Sequence, residues 1–284
     1  METILRQFPD ICSWVTYAEN DKPQTGRDHE RATKNMAQNY EWNGVHNAEE
    51  AFDTLRKGWP AGLARMRKVM DCIHNVIKIE TPVYEFHDDI EGMAPNVEAF
   101  IMGAPEDMFM MEPIKMDAPP SYVQAQIEMC VSSYITGDQL TWAGAVLFSA
   151  VEALRHQGCH VELLLSFSFS SDHGGLGDLW MCSTPVPNSL DMDTLAFLFT
   201  HPACLRTVCF SCCEHEPDHI RKHFGFVQGR GYGYPCLVKS TTSDVYLRAQ
   251  HMAAKFNTYD QPGCLKIAQS MFQKLVDTKF ESFE

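Results

Sequence analysis

Between residues 121 and 170 the chain alternates, closes into an apolar block, and alternates again. Val123, Ala125, Ile127, Met129 and Val131 are separated by Gln124, Gln126 and Glu128, the two-residue period of a half-buried strand. A helix is predicted over 138–157, and its WAGAVLFSAV section is apolar on nearly every side. Such a helix is enclosed by protein, because an amphipathic one would keep a polar face. Gly158 ends it, and over 160–169 the residues Val161, Leu163, Leu165, Phe167 and Phe169 share one face of a second strand. Strand, buried helix and strand make a βαβ unit with parallel strands and a right-handed crossover. The loop SSDHGGLG then turns the chain into a third strand over 178–184, antiparallel to the second.

The flanks read as helices. Asn47 caps one and Glu50 reaches back as in a capping box, while Gly58 suits the left-handed position that ends it. Pro60 opens the next helix, whose apolar face is Leu63, Met66, Met70, Ile73 and Ile77. Trp59, between them, reads as a packing wedge. Residues 1 to about 45 are polar and mixed, a loop or loosely held helix. Residues 80–120 read as irregular, with prolines at 82, 95, 105, 113, 119 and 120. Met102, Met108, Met110, Met111 and Met116 crowd that stretch and are expected to pin a long loop to the core, a partner-docking site being the alternative. Asp191 caps a helix carrying Leu195, Leu198 and Phe199, and Pro202 starts another that runs to about Cys213. A short strand near 236–239 and helices near 243–256 and 263–279 follow. The fold class is α/β, a mixed sheet with a βαβ unit and flanking helices. Its divisions are a helical N-terminal region (1–80), a Pro/Met-rich connection (81–120) and an α/β core (121–284).

Composition narrows the function classes. No run approaches 18 apolar residues, so no membrane span is expected, and METILRQFPDICSWV lacks the pattern of a secretory signal. Eleven scattered cysteines read as reduced thiols, which points to the cytoplasm. The formal charge of −14 argues against coating duplex nucleic acid, whose affinity comes mostly from phosphate attraction. Single-strand binding survives that argument, because stacking contributes about 1–3 kcal/mol per base and a local groove suffices.

The stretch IRKHFGFVQGRGYGYP, 220–235, carries that chemistry. Arg221, Lys222 and Arg230 would meet phosphates, and Phe224, Phe226, Tyr232 and Tyr234 would offer stacking faces. KHFGFVQG agrees with an RNA-recognition signature at five of seven defined positions. The alternative is a strand over 224–227 entering a glycine-rich turn, with its rings in the core. HEPDH, 215–219, matches the HExxH zinc motif literally, but Pro217 forces His215 outside a regular helix. Cys209 and Cys212 have C-x-x-C spacing, yet with Cys204 and Cys213 they lie on an apolar helix where cysteine acts as a small hydrophobe. The loop holding Asp172, His173, Gly174 and Gly175 reads as a hairpin turn. No metal, cofactor or catalytic residue is assigned.

The order strand, serine pair, helix, strand resembles a von Willebrand A domain. That fold holds a divalent metal through D-x-S-x-S, and the corresponding residues here are Cys130, Val131, Ser132, Ser133 and Tyr134. Without the aspartate the resemblance implies a metal-less version. The phrases GWPAGLARM, NVEAFIMGAPEDM, WAGAVLFSAVEALRHQGCHVELLL and LAFLFTHPACLR, across about 45–235, are similar to an uncharacterised family of phage-encoded proteins. That resemblance implies a virus-encoded protein of the host cytoplasm and carries over no catalytic residue. Two functions are expected from the whole. One is a non-enzymatic accessory protein that binds single-stranded nucleic acid in replication or transcription. The other is a protein-interaction module acting on a host or phage enzyme. The oligomeric state is left open, a homo-oligomer included.

Overall fold

The computed structural model describes residues 3–20, 40–74, 84–89, 94–97, 101–102, 108–113, 122–156, 158–172, 177–226, 234–236 and 245–277. Chain order begins β1 (Thr3–Gln7), α1 (Ile11–Asn20), α2 (Tyr40–Asn43), α3 (Ala48–Lys57) and α4 (Pro60–His74). It continues β2 (Tyr84–Asp89), β3 (Ala94–Pro95), β4 (Met108–Pro113), β5 (Tyr122–Glu128), α5 (Gly137–His156) and β6 (His160–Ser170). Next come β7 (Leu179–Val186), α6 (Met192–Thr200), a π-helix (Cys204–Cys209), α7 (Phe210–Glu214) and α8 (Asp218–Phe224). The last elements are β8 (Tyr234–Pro235), β9 (Val245–Arg248), α9 (Ala249–Ala253) and α10 (Gln261–Asp277).

The βαβ unit forms as the pattern requires: β5 and β6 pair in parallel across the crossover helix α5. The sheet order is β1-β7-β6-β5-β9, with β8 also on β6. β9 is parallel to β5, β7 is antiparallel to β6, and β1 is parallel to β7. Leu163, Leu165, Phe167 and Phe169 line one buried face, where Trp14 of α1 stacks on Phe167 at 5.5 Å. α5 is buried on every side, from Leu140 to Leu154. It packs on β6, α4, α6, α9 and α10. Gly144 permits the approach of α6, since a Cβ there would sit 2.3 Å from Thr200 Cγ2 and 3.3 Å from the Phe199 carbonyl oxygen.

Several sequence expectations change. β5 is not half-buried: Gln126 and Glu128 are as fully enclosed as Ile127, and neighbouring side chains bond the Gln126 amide nitrogen and the Glu128 carboxylate in place of water. The N-terminal region supplies an edge strand to the main sheet as well as helices. Residues 80–120 contain a small antiparallel sheet, β2-β4-β3, where irregular chain was expected. The helix expected from Pro202 to Cys213 passes through a π-helical turn, and Arg206 in that turn is buried and donates to the Ile135 carbonyl at 2.8 Å. Residues 245–248, expected as helix, pair with β5 as a strand. Val245, Tyr246 and Leu247 suit a pleated edge, and the open edge of β5 decides between the two conformations. Ile77, Met116 and Val227 lie outside the described residues.

The caps hold with one exception. The Asn47 side chain accepts from the Glu50 amide at 2.8 Å, while the Glu50 carboxylate accepts from the His46 amide at 2.6 Å. Asp191 caps α6 by accepting from both the amide and the hydroxyl of Thr194. Gly58 departs from the left-handed cap: its φ of 81° comes with ψ of 169°, and a Cβ there would lie 2.6 Å from Asp193 Cβ. The Gly58–Pro60 junction is docked on the start of α6, where the Trp59 amide donates to the Asp193 carbonyl at 3.1 Å.

Trp59 also fulfils its wedge role through His201, at 4.4 Å between ring centres in an edge-on pair. His201 is buried, stacks on Phe197 at 4.8 Å, and accepts from the Ala203 amide at 3.0 Å. Burial first, and then the Arg65 cation, lower its pKa to about 4. A neutral His201 in the fold and a protonatable one in the unfolded chain make stability fall as pH drops from about 6.5 to about 4. Chemical denaturation at pH 7 and pH 5 is expected to show a loss of about 2 kcal/mol from this residue, and His201→Gln is expected to flatten the difference. An equal loss in the variant would remove His201 as the cause.

Candidate functional site

The residues of the aromatic and basic stretch separate in three dimensions. Residues expected to begin a strand instead end α8, with Gly225 in the left-handed conformation at φ 71°. Phe224 and Phe226 are each 2% exposed, and Phe226 packs edge-on against both Phe169 and Trp180. They are core rings and offer no stacking face, which corrects that part of the expectation. Arg221 keeps only 11% of its side chain exposed and is held by Asp218 one turn earlier. Lys222 is exposed, and His223 pairs with Asp178 at 2.8 Å. Tyr234 is exposed at the end of β6, opposite Ser170. Arg230 and Tyr232 lie outside the described residues.

The exposed members sit at the carboxyl edge of β5, β6 and β9, the edge where open α/β sheets generally bind ligands. The edge forms because β5 leaves β6 at Glu128 while β6 runs on to Ser170 and takes β8 as a partner. Parting strands strand backbone donors, and the Glu128 carboxylate collects them. One oxygen accepts from the Cys130 amide at 3.0 Å and the Ser168 amide at 2.9 Å. The other accepts from the hydroxyls of Ser168 at 2.5 Å and Ser166 at 3.1 Å. Burial raises the Glu128 pKa, against the opposing pull of these four donors. With all its lone pairs engaged, Glu128 is a structural clasp. In the next loop Ser132, which the sequence resemblance aligned with a metal-site serine, donates its amide and hydroxyl to the side-chain oxygen of Gln250 at 3.1 and 3.2 Å. Gln250 in turn donates to Tyr134 at 3.2 Å, leaving the tyrosine ring 65% exposed beside the sheet edge.

The zinc-like motifs dissolve. His215 ends α7 and His219 belongs to α8, separated by Pro217 at the N-cap, so they share no helical face. Glu216 is buried and occupied: Arg6 grips it through two bonds of 2.7 Å and Trp180 Nε1 donates at 2.9 Å. Cys209 and Cys212 are buried beside Cys182 and Cys213, and burial pushes the Cys213 thiol up to about 12. Protonated, enclosed thiols are poor nucleophiles. Among the described residues no group of three or more His, Cys, Asp or Glu side chains is placed to hold a metal ion. Among the same residues no single helix is long and apolar enough to cross a membrane.

A second feature is the charge of the segment that contains β2, β3 and β4. Between Lys78 and Lys115 the chain has nine carboxylates and no lysine or arginine. Formal charge there is −9 of the total −14, concentrated on about an eighth of the chain. The same segment carries Val97, Ile101 and Met102, all strongly exposed, so Met102 does not pin that stretch to the core as expected.

A family described as a domain of unknown function, DUF7192, matches residues 2–276. The chain belongs to this family. No curated protein and no solved structure matches it. The span of the DUF7192 match agrees with the single buried core that runs from Ile11 to Leu275.

In this DUF7192 chain sequence reasoning missed three things: the Glu128 clasp, Tyr134, and the acidic segment. The last was readable as a gap of 36 residues without a basic side chain. The clasp was not, because Ser166 and Ser168, which supply three of its four donors, are 38 and 40 residues away. The Arg6–Glu216 pair joins β1 to the turn before α8 across 210 residues. Arg6→Met would leave an enclosed carboxylate with only the Trp180 donor. A loss of about 3 kcal/mol in urea denaturation, at unchanged slope, is the expected outcome. A change below about 0.5 kcal/mol would mean that the pair does not hold β1 to the core.

Proposed function

We propose that this chain is a non-enzymatic protein-interaction module that presents an acidic lobe to a basic protein surface. The observation that carries the reading is the segregation of charge. Nine carboxylates without a single basic residue belong to the segment that builds its own small sheet, apart from the main one. A single-sign patch of this kind steers a partner of opposite charge and raises its rate of encounter. The order β7-β6-β5-β9, with a βαβ unit followed by an antiparallel strand, supports a von Willebrand A-like scaffold beneath the lobe. Ser132 is committed to Gln250, which supports a metal-less form of it. In the viral setting that the sequence resemblance implies, the partner is a host or phage enzyme.

Single-strand nucleic-acid binding at the carboxyl edge is the second reading. It is favoured by Tyr134 and Tyr234, exposed on separate segments of that edge, with Lys222 and Arg248 as cations. The ligand would stack on the two tyrosines in place of the buried phenylalanines.

Carbodiimide crosslinking in host extract joins carboxylates directly to partner lysines, and mass spectrometry locates the carboxylate used. Intermolecular links concentrated in residues 79–114 and abolished by 0.5 M salt are expected; links spread over the surface, or none, would overturn the lobe reading. For the second reading, fluorescence anisotropy with labelled single-stranded oligonucleotides is decisive. Removing one stacking ring by Tyr134→Ala or Tyr234→Ala is expected to weaken binding about tenfold. No salt-sensitive binding below about 10 μM would end that reading.

A further inference from the structure

We infer that the carboxyl edge of the sheet binds the terminal phosphate of a nucleotide, with Arg248 as its anchor and His251 beside it. The inference rests on the nucleic-acid reading of that edge and names the group it recognises. Residues 245–259 hold Arg248, His251 and Lys255 and no aspartate or glutamate, in a chain whose formal charge is −14.

Arg248 ends β9 half-buried, with its charge uncompensated. Its one bonded partner among the described residues is His251, whose Nε2 lies 3.4 Å from the guanidinium Nη1. The Arg248 Nε is shielded from water and bonds nothing. Glu128 stands opposite Arg248 in the β5–β9 register, but the four donors of the clasp already occupy that carboxylate. A guanidinium presents five N–H donors in a planar fork, and an oxyanion is the acceptor that fits it.

His251 is no counter-ion for this cation. An imidazole accepts from a guanidinium only while neutral, and protonation would set two positive charges side by side. Burial first, and then the Arg248 and Lys255 cations, lower the His251 pKa. A bound anion reverses the balance, so that His251 takes up a proton and donates to the ligand as Arg248 does. His251 and Lys255 are exposed, which leaves this side of the edge open to a ligand.

Charge and shape together select the ligand. A phosphodiester within a strand carries one negative charge, whereas a terminal phosphomonoester carries about −1.5 to −2 at pH 7. The larger charge matches Arg248 and a protonated His251 acting together. Gln250 joins the same turn to Tyr134, whose ring is 65% exposed and offers a face for a base. A phosphate carrying a nucleobase uses both the cations and the ring.

Titration calorimetry with the intact chain compares thymidine monophosphate, thymidine and inorganic phosphate. The nucleotide is expected to bind about tenfold tighter than inorganic phosphate, and thymidine not to bind. Arg248→Gln and His251→Ala are each expected to weaken nucleotide binding about tenfold. The exposed position of His251 keeps its variant folded, so that arm decides even where Arg248→Gln lowers the unfolding midpoint. During the titration the His251 imidazole signals in NMR are expected to move to their protonated positions. Stationary signals, or wild-type affinity in both variants, would overturn the assignment. Equal binding of single-stranded oligonucleotides with and without a terminal phosphate would overturn the inference and leave the nucleic-acid reading standing. Binding of neither oligonucleotide would remove both.

Discussion

A twenty-residue helix that is apolar on every side has to be surrounded, and α5 imposes that requirement on the rest of the molecule. One side is taken by the sheet through β6; the others are covered by α4, α6, α9 and α10. The glycine at 144 is part of the same solution, because the tight crossing of α6 leaves no space for a side chain. His201 and Trp59 close the layer from outside, with Arg65 lying 4.8 Å above the indole ring. Hydrophobic burial on this scale is what allows polar groups elsewhere in the core to be tolerated.

Those polar groups lie on the second face of β5 and β6. A strand such as SFSFS places its phenylalanines toward the helices and its serines away from them, and both rows are enclosed. An enclosed serine is costly unless bonded, and the Glu128 carboxylate supplies the acceptors. The carboxylate needs donors as much as the serines need acceptors, so the four bonds are mutually dependent. Their location at the fork between β5 and β6 defines where the sheet edge opens, and thus where Tyr134 and Tyr234 emerge.

The polar groups and thiols of the core are committed to the fold. In the buried sulfur-rich and aromatic interior, burial keeps the Cys213 thiol protonated and the Glu216 carboxylate is tied to Arg6. The excess negative charge belongs to the segment between Lys78 and Lys115, which contributes β2, β3 and β4.

Local signals survive folding where the physics is local. The period of β5 and β6, the all-apolar α5, the Asn47 and Asp191 caps and the proline that opens α4 were legible because neighbours in sequence decide them. Residues 245–248 were misread since their strand exists only by pairing with β5, 120 residues earlier. Phe224 and Phe226 looked like stacking rings because nothing in their own stretch reveals Phe169 and Trp180, which enclose them. The sequence by itself determined an α/β fold around one buried crossover helix and a net acidic surface. Which aromatic rings reach water and which carboxylates are clasped inside was decided by tertiary structure, since exposure and charge pairing depend on contacts between residues far apart along the chain.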